Sequence, residues 1–112
     1  MNAFDVLGDP VRRRILELLA GSERASGQIV AVIGEEFGIS QPAVVQHLRV
    51  LREHGFASVR PEGTRRLYSL DPAGIDGVER WLTELRASWT QRLDALATEV
   101  ARGKRERRGG RH

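Results

Sequence analysis

Apolar residues recur three and four positions apart through the first half of the chain, which is the spacing of a helix with one buried face. This pattern predicts a short helix within residues 1–7 and longer helices over about 10–21, 26–38 and 40–54. Pro10 and Pro42 lie in first turns, where a missing N–H costs nothing. Gly38 and Gly55 follow the last apolar positions of their helices, where helix-ending glycines are common. The predicted inward positions are Val11, Ile15, Leu18, Leu19, Ile29, Val30, Ile33, Phe37, Val44, Leu48 and Leu51.

The helix predicted over residues 40–54, which we call the reading helix, has two unlike faces. Its back is the apolar set Val44, Leu48 and Leu51, and it begins with Ser40, a possible N-cap. Amide and guanidinium groups like those on its front can read base edges in a DNA major groove, which is wide enough to admit one helix. The alternative is a merely solvated face. The front therefore predicts DNA contact by Ser40, Gln41, Pro42, Val45, Gln46 and Arg49.

The hydrophobic period changes after Gly55. Residues 56–60 and 65–70 are short, with alternating apolar positions, and the residues between them, Pro61-Glu62-Gly63-Thr64, are typical of a turn. The pattern predicts a β-hairpin whose tip carries Arg60, Arg65 and Arg66. We expect these arginines to contact DNA phosphates or the minor groove, with a simple surface cluster as the alternative.

The last regular segment is a narrow apolar stripe on one long helix. On a helical wheel its members fall within about 80° of one another, and a helix of some 25 residues spans about 38 Å, more than one small domain can cover. Homodimerisation is therefore favoured over folding back onto the same domain. This terminal stripe consists of Ile75, Val78, Leu82, Leu85, Trp89, Leu93, Leu96 and Val100. The predicted dimer residues are Phe4, Leu7, Val78, Leu82, Leu85, Trp89, Leu93 and Leu96.

Charge is distributed unevenly along the 112 residues. The net charge is +3, yet residues 102–112 hold six of the 18 Lys and Arg and one of the 15 acids, which leaves the rest with a net of −2. The prediction is one domain over residues 1–101 for DNA binding and dimerisation, followed by a basic disordered tail over 102–112. DNA affinity in the domain must come from a local patch, while the tail adds non-specific attraction.

Several classes of function find no support in the sequence. Without cysteine there is no disulfide framework, thiolate metal site or cysteine nucleophile, which fits a cytoplasmic protein. No apolar run reaches the roughly 20 residues of a membrane span. The chain has no phosphate-cradling glycine loop and no plausible catalytic triad, so we expect no enzyme and no cofactor.

Three segments together resemble one family. The stretches GDPVRRRILELL, ISQPAVVQHLRVLREHGF and EGTRRLYSL resemble the ArsR family of bacterial transcriptional regulators, over about residues 3–100. The resemblance implies a winged helix-turn-helix fold, mainly α with a small β-hairpin wing and a long C-terminal dimerisation helix. It also implies a homodimeric repressor that reads an inverted-repeat operator in double-stranded DNA, with control of its own promoter as one expectation.

Metal sensing, known from founding members of that family, is not expected here. Their sites use cysteine pairs before the reading helix, or His with Asp or Glu on the last helix. This chain has no Cys, and its histidines, His47, His54 and His112, all lie outside the terminal stripe. Its last helix instead resembles the subgroup without metal sites, with two Trp and an RLDAL stretch.

Two other functions are compatible with the sequence. Some winged helices bind proteins, so the terminal stripe could pair with a different helix in an interaction module. A non-specific DNA binder driven by the basic tail is the other alternative. Salt dependence and sequence preference of DNA binding distinguish these from a specific regulator.

Overall fold

The computed structural model describes the backbone of residues 1–109 and the side chains of residues 1–104. It is mainly helical with one small antiparallel sheet, which confirms the predicted fold class. In chain order the elements are α1 (Ala3–Leu7), α2 (Pro10–Gly21), β1 (Arg24–Ala25), α3 (Ser26–Phe37), α4 (Gln41–Glu53), β2 (Ala57–Glu62), β3 (Arg65–Leu70) and α5 (Pro72–Gly109). Residues 1–78 form one compact unit, and a second begins at Glu79. Among the described residues, none of the helices combines the length and the hydrophobicity that a membrane span requires.

Local signals explain where the helices begin and end. The Asp9 carboxylate accepts hydrogen bonds from the first N–H groups of α2, and the Ser40 hydroxyl accepts one from the Ala43 N–H in α4 at 3.3 Å. These side chains satisfy donors that have no partner within the helix. Gly38 ends α3 with a φ of 63°, a left-handed conformation that suits glycine, so α4 can leave in a new direction. The predicted helix-turn-helix is therefore confirmed.

The sheet is larger than the predicted hairpin. β3 lies in the middle, paired with β2 on one side and with the two-residue β1 on the other. Pro61 pairs with Arg66 and Glu62 with Arg65, so the strands extend further than expected and the turn shortens to Gly63 and Thr64. Gly63 has a φ of 60°, which permits this tight reversal. We missed β1 because two residues are too short to show any period.

The core lies where the helices of the first unit meet the sheet. The predicted inward residues are buried or partly buried, except Phe37, whose side chain is 37% exposed beside the α3–α4 turn. Phe56 is fully buried at the start of the hairpin. The largest fully buried side chains are Phe56, Ile15, Ile29, Ile33, Leu48, Leu51, Val6 and Val44. The core-facing side of α4 is therefore buried, and its opposite side is available for other contacts.

The last helix is longer than predicted. α5 has 38 residues and continues to Gly109, so residues 102–109 are helical where we predicted a disordered tail. Arg, Lys and Glu are good helix formers, and a preceding helix removes the cost of nucleation, which explains the extension. Residues 110–112, the remainder of the predicted tail, lie outside the described residues.

Candidate nucleic-acid interface

The six predicted DNA-contacting residues of α4 and its cap are all exposed in the structure. Val45 is 41% exposed, although it is apolar and adjoins Val44, which is fully buried. The exposed set is Ser40, Gln41, Pro42, Val45, Gln46 and Arg49. An apolar residue within an exposed polar face offers a contact for a thymine methyl group, while the amides and guanidinium offer hydrogen bonds.

The polar members of this face differ in their availability. The Ser40 hydroxyl is occupied in capping α4, so its main effect is to begin the helix. Within the part of the chain whose side chains are described, Gln41, Gln46 and Arg49 make no hydrogen bond or ion pair. Their donors and acceptors are therefore free to meet bases or phosphates without breaking an existing bond.

Arg12 links α4 to the N-terminal helix. Its side chain is only 11% exposed, and it donates to the carbonyl oxygens of Val6 and Asp5, both at 2.9 Å. Its Nη1 also lies 3.4 Å from the Nδ1 of His47 in α4. Because guanidinium only donates, Nδ1 accepts in this contact. Arg12 therefore satisfies the last carbonyls of α1.

Two of the three predicted wing arginines are already paired. Arg60 donates to both Glu23 carboxylate oxygens, at 2.7 and 3.0 Å, and these hydrogen bonds lower the pKa of Glu23 and raise that of Arg60. Any contribution of this exposed pair to the free energy of unfolding is present above the ordinary pKa of Glu. It is lost as the pH falls through the lowered pKa of Glu23. Arg65 lies 3.4 Å from Glu62. Arg66 is exposed and, among described side chains, unpaired.

A basic cavity beside the wing was not predicted. It has a volume of about 260 Å³ and is lined by Arg52, Val59, Arg60, Pro61 and Arg66. The new member is Arg52, an exposed residue in the last turn of α4. Arg52 follows Arg49 by three positions and Val45 by seven, so helical periodicity already placed it on the exposed face.

The predicted dimer residues divide into two groups. Leu7 and Val78 are partly buried and pack against the core of their own unit. On α5, the leucines at 82, 85, 93 and 96 and Trp89 are 46–59% exposed, while Phe4 in α1 is 45% exposed. Large apolar side chains at this level of exposure along one stripe are typical of an interaction surface.

The described residues offer no site for a metal. They contain no group of three or more His, Cys, Asp or Glu side chains placed to hold an ion. Acidic side chains among the described residues pair with arginines instead, as Glu36 does with Arg14 at 3.0 Å. Hydrogen bonding to Glu36 raises the pKa of Arg14.

Comparison with known proteins adds to this geometry. The pattern of the bacterial regulatory protein, arsR family, matches residues 9–59. The HTH-type transcriptional regulator Rv2034 of Mycobacterium tuberculosis is 39% identical over 95 residues, covering 85% of this chain and 82% of the relative. The transcriptional repressor SdpR of Bacillus subtilis is 33% identical over 81 residues, covering 72% and 86%. The homodimeric winged helix-turn-helix DNA-binding domain of Mb0332 from Mycobacterium bovis is 27% identical, with a TM-score of 0.55 over 77% of this chain and 73% of that one.

Proposed function

The chain belongs to the bacterial arsR family of regulatory proteins, and from this premise we propose that it is a homodimeric repressor that reads an inverted-repeat operator. Members of this family are transcriptional regulators rather than enzymes. The observation that carries the proposal is the front of α4, where Gln46 and Arg49 are exposed opposite a buried back, with exposed Gln41 at the N-terminal edge, and all three are unpaired among the described side chains. Such a face on a helix docked against a core is suited to a major groove.

Each part of the interface has a distinct role in this proposal. Gln46 and Arg49 contact base edges, Val45 and Pro42 give apolar contacts, and Gln41 lies near the helix N-terminus. Ser40 holds that N-terminus in place, where backbone N–H groups favour a phosphate. The hairpin over residues 60–66 contacts the backbone or minor groove. Its Arg60 and Arg65 must exchange a carboxylate partner for a phosphate, whereas Arg66 is free to bind directly.

Dimerisation follows from the terminal stripe. The exposed stripe residues of α5 would remain hydrated in a monomer, and pairing two copies removes this apolar surface from water. The homodimeric state of the Mb0332 domain supports a homodimer for this chain as well. A twofold dimer presents two reading helices about one DNA turn apart, which selects an inverted repeat.

Release from DNA does not depend on a metal ion in this proposal. The sequence has no cysteine, and the described residues bring no set of metal ligands together. Zinc in proteins is held by three or four protein ligands, mostly nitrogen and sulfur. Regulation through a small ligand, a partner protein or protein concentration is compatible with these observations.

The proposal is tested by selecting bound fragments from random duplex DNA at about 150 mM salt, where non-specific attraction is reduced. An enriched inverted repeat supports a dimeric, specific regulator. Binding without an enriched motif would favour the non-specific binder driven by the basic residues after 101. Absence of DNA binding would favour the protein-interaction module.

Gln46→Ala and Arg49→Ala should each weaken binding to the selected operator without lowering the melting temperature. Each change removes an exposed group with no internal partner, and a good bidentate base contact discriminates by about 1–3 kcal/mol. Operator affinity by fluorescence anisotropy and thermal unfolding should be measured on the same samples.

Gln91→Ala and Arg80→Ala are the matched controls for these two changes. Both residues are exposed on α5 and lie away from the terminal stripe. They should leave operator affinity unchanged. Unfolding caused by Gln46→Ala or Arg49→Ala would show that the assignment of an exposed, functional face is wrong.

A further inference from the structure

The basic cavity lies between the last turn of α4 and the β2–β3 hairpin. Its volume is about 260 Å³, and its lining combines Arg52, Arg60 and Arg66 with Val59 and Pro61. None of these lining residues is acidic. A concave site whose charged groups are all arginines is suited to a planar or tetrahedral oxyanion, because guanidinium presents several donors in a fixed fork.

Strand register and packing bring Arg66 to this cavity. Arg66 lies directly across from Pro61 in the β2–β3 ladder, so the two side chains share one face of the hairpin. Val59 lies two residues before Pro61, on the same face, and packs against the core. This attachment fixes the hairpin beside α4, where Arg52 completes the cavity from the helix.

The three arginines are not equivalent. Arg60 is bound through two hydrogen bonds to Glu23, which neutralises much of its charge. Arg52 and Arg66 have no acidic partner among the described side chains, although they line one cavity. Guanidinium groups that line one cavity without an acidic partner repel, and an anion bound between them would remove that repulsion.

We propose that this cavity binds one phosphate group, with Arg52 and Arg66 as the donors that hold it. Two sources have this chemistry: a phosphodiester of the DNA backbone and a free phosphate-bearing molecule. On duplex DNA, one sugar–phosphate backbone separates the major groove from the neighbouring minor groove. The cavity lies between the reading helix and the wing. If the helix and the wing occupy neighbouring grooves, this backbone passes the cavity, so the DNA backbone is the favoured source. This source rests on the proposed function, whereas the phosphate chemistry does not.

The DNA source is tested through the salt dependence of operator binding. Each neutralised phosphate contributes a slope of about −0.9 to a plot of log K against log salt, so the double variant Arg52→Gln, Arg66→Gln should flatten the slope of a dimer by about 1.8. Arg80→Gln, an exposed arginine away from the terminal stripe on α5, is the matched control and should leave the slope unchanged. Arg60→Gln should change the slope less than Arg52→Gln or Arg66→Gln does, because the charge of Arg60 is already paired.

Neutral methylphosphonate substitutions, placed one at a time along the operator, locate the contact. With the wild-type protein, the substitution at one position in each half-site should weaken binding, because it removes the phosphate charge that the cavity contacts. With the double variant, the same substitution should cause no further loss, since the partner charges are already gone. Additive losses at every position would overturn the assignment to a backbone phosphate.

The second source is tested without DNA, by titrating the full chain with inorganic phosphate and observing the arginine Nε–Hε resonances. Shifts of Arg52 and Arg66 that saturate, with no change in operator salt slope for the double variant, would support a site for a soluble phosphate. The proposal is overturned if the double variant leaves the operator salt slope unchanged and inorganic phosphate causes no saturating shift of Arg52 or Arg66. Because the phosphate titration uses no operator, failure of the proposed repressor function would leave it interpretable.

Discussion

Gly74→Ala should destabilise the protein by about 1–3 kcal/mol, the usual cost of forcing an extra carbon into a packed site. A Cβ at this position would lie 2.7 Å from Cγ and Cδ1 of Phe56 and 2.9 Å from the Gly55 carbonyl oxygen. Phe56 is fully buried and cannot turn away, while the Gly55 oxygen accepts a hydrogen bond from the Gly74 N–H at 2.8 Å. The close approach that starts α5 therefore requires glycine.

Gly77→Ala is the matched control, one turn further along the same helix. A Cβ there meets no heavy atom within 4 Å. Because alanine favours helix, this change should stabilise the protein by about 0.5–1 kcal/mol. Urea unfolding of both variants at one protein concentration measures the two effects, since association shifts apparent stability. Equal effects of the two substitutions would contradict the packing described around Phe56.

Leu93→Asp should convert the dimer into monomers. Leu93 is 46% exposed in the single chain and belongs to the terminal stripe. Burying a leucine contributes about 1.5–3 kcal/mol, and a twofold interface loses this contribution from both copies while gaining two uncompensated carboxylates. Light scattering coupled to size exclusion should therefore report the mass of one chain. Operator affinity should fall with it, because the two half-sites are then bound independently.

Gln91→Asp controls for the introduced charge. It lies two residues from Leu93 on the opposite face of α5, so it adds the same carboxylate to the same helix outside the terminal stripe. Its mass in solution should remain that of a dimer. A dimer unaffected by Leu93→Asp would place the interface elsewhere on the molecule.

The helices and the exposed face of α4 could be predicted because burial repeats at a fixed period. Val44, Leu48 and Leu51 are apolar because they face the core, whereas Val45, Gln46 and Arg49 between them are exposed. Capping at Ser40 and the left-handed Gly38 are also local events, each determined by a few neighbouring residues. Local chemistry of this kind is visible in a sequence without knowledge of the fold.

Features created by distant residues could not be predicted in the same way. The pairing of Arg60 with Glu23 joins positions 37 apart, and β1 exists only because β3 offers an edge for it. The helix-forming residues Arg, Lys and Glu could have predicted the extension of α5 through residues 102–109. We instead interpreted the high charge density there as a sign of disorder. Arg52 also had a signal, its helical spacing from Arg49, although the cavity that gives it a role appears only when the hairpin packs beside α4.

Arg12 contacts both the short first helix and the reading helix, so we expect the order of the two helices to be coupled. A five-residue helix is too short to persist alone, so α1 owes its order to its cap, its packing and the guanidinium bonds at its end. The same guanidinium contacts His47 on α4. Coupling of this kind is reciprocal. We therefore expect that immobilising α4 on an operator slows amide hydrogen exchange in α1, and that a substitution in α1 changes operator occupancy without touching a base.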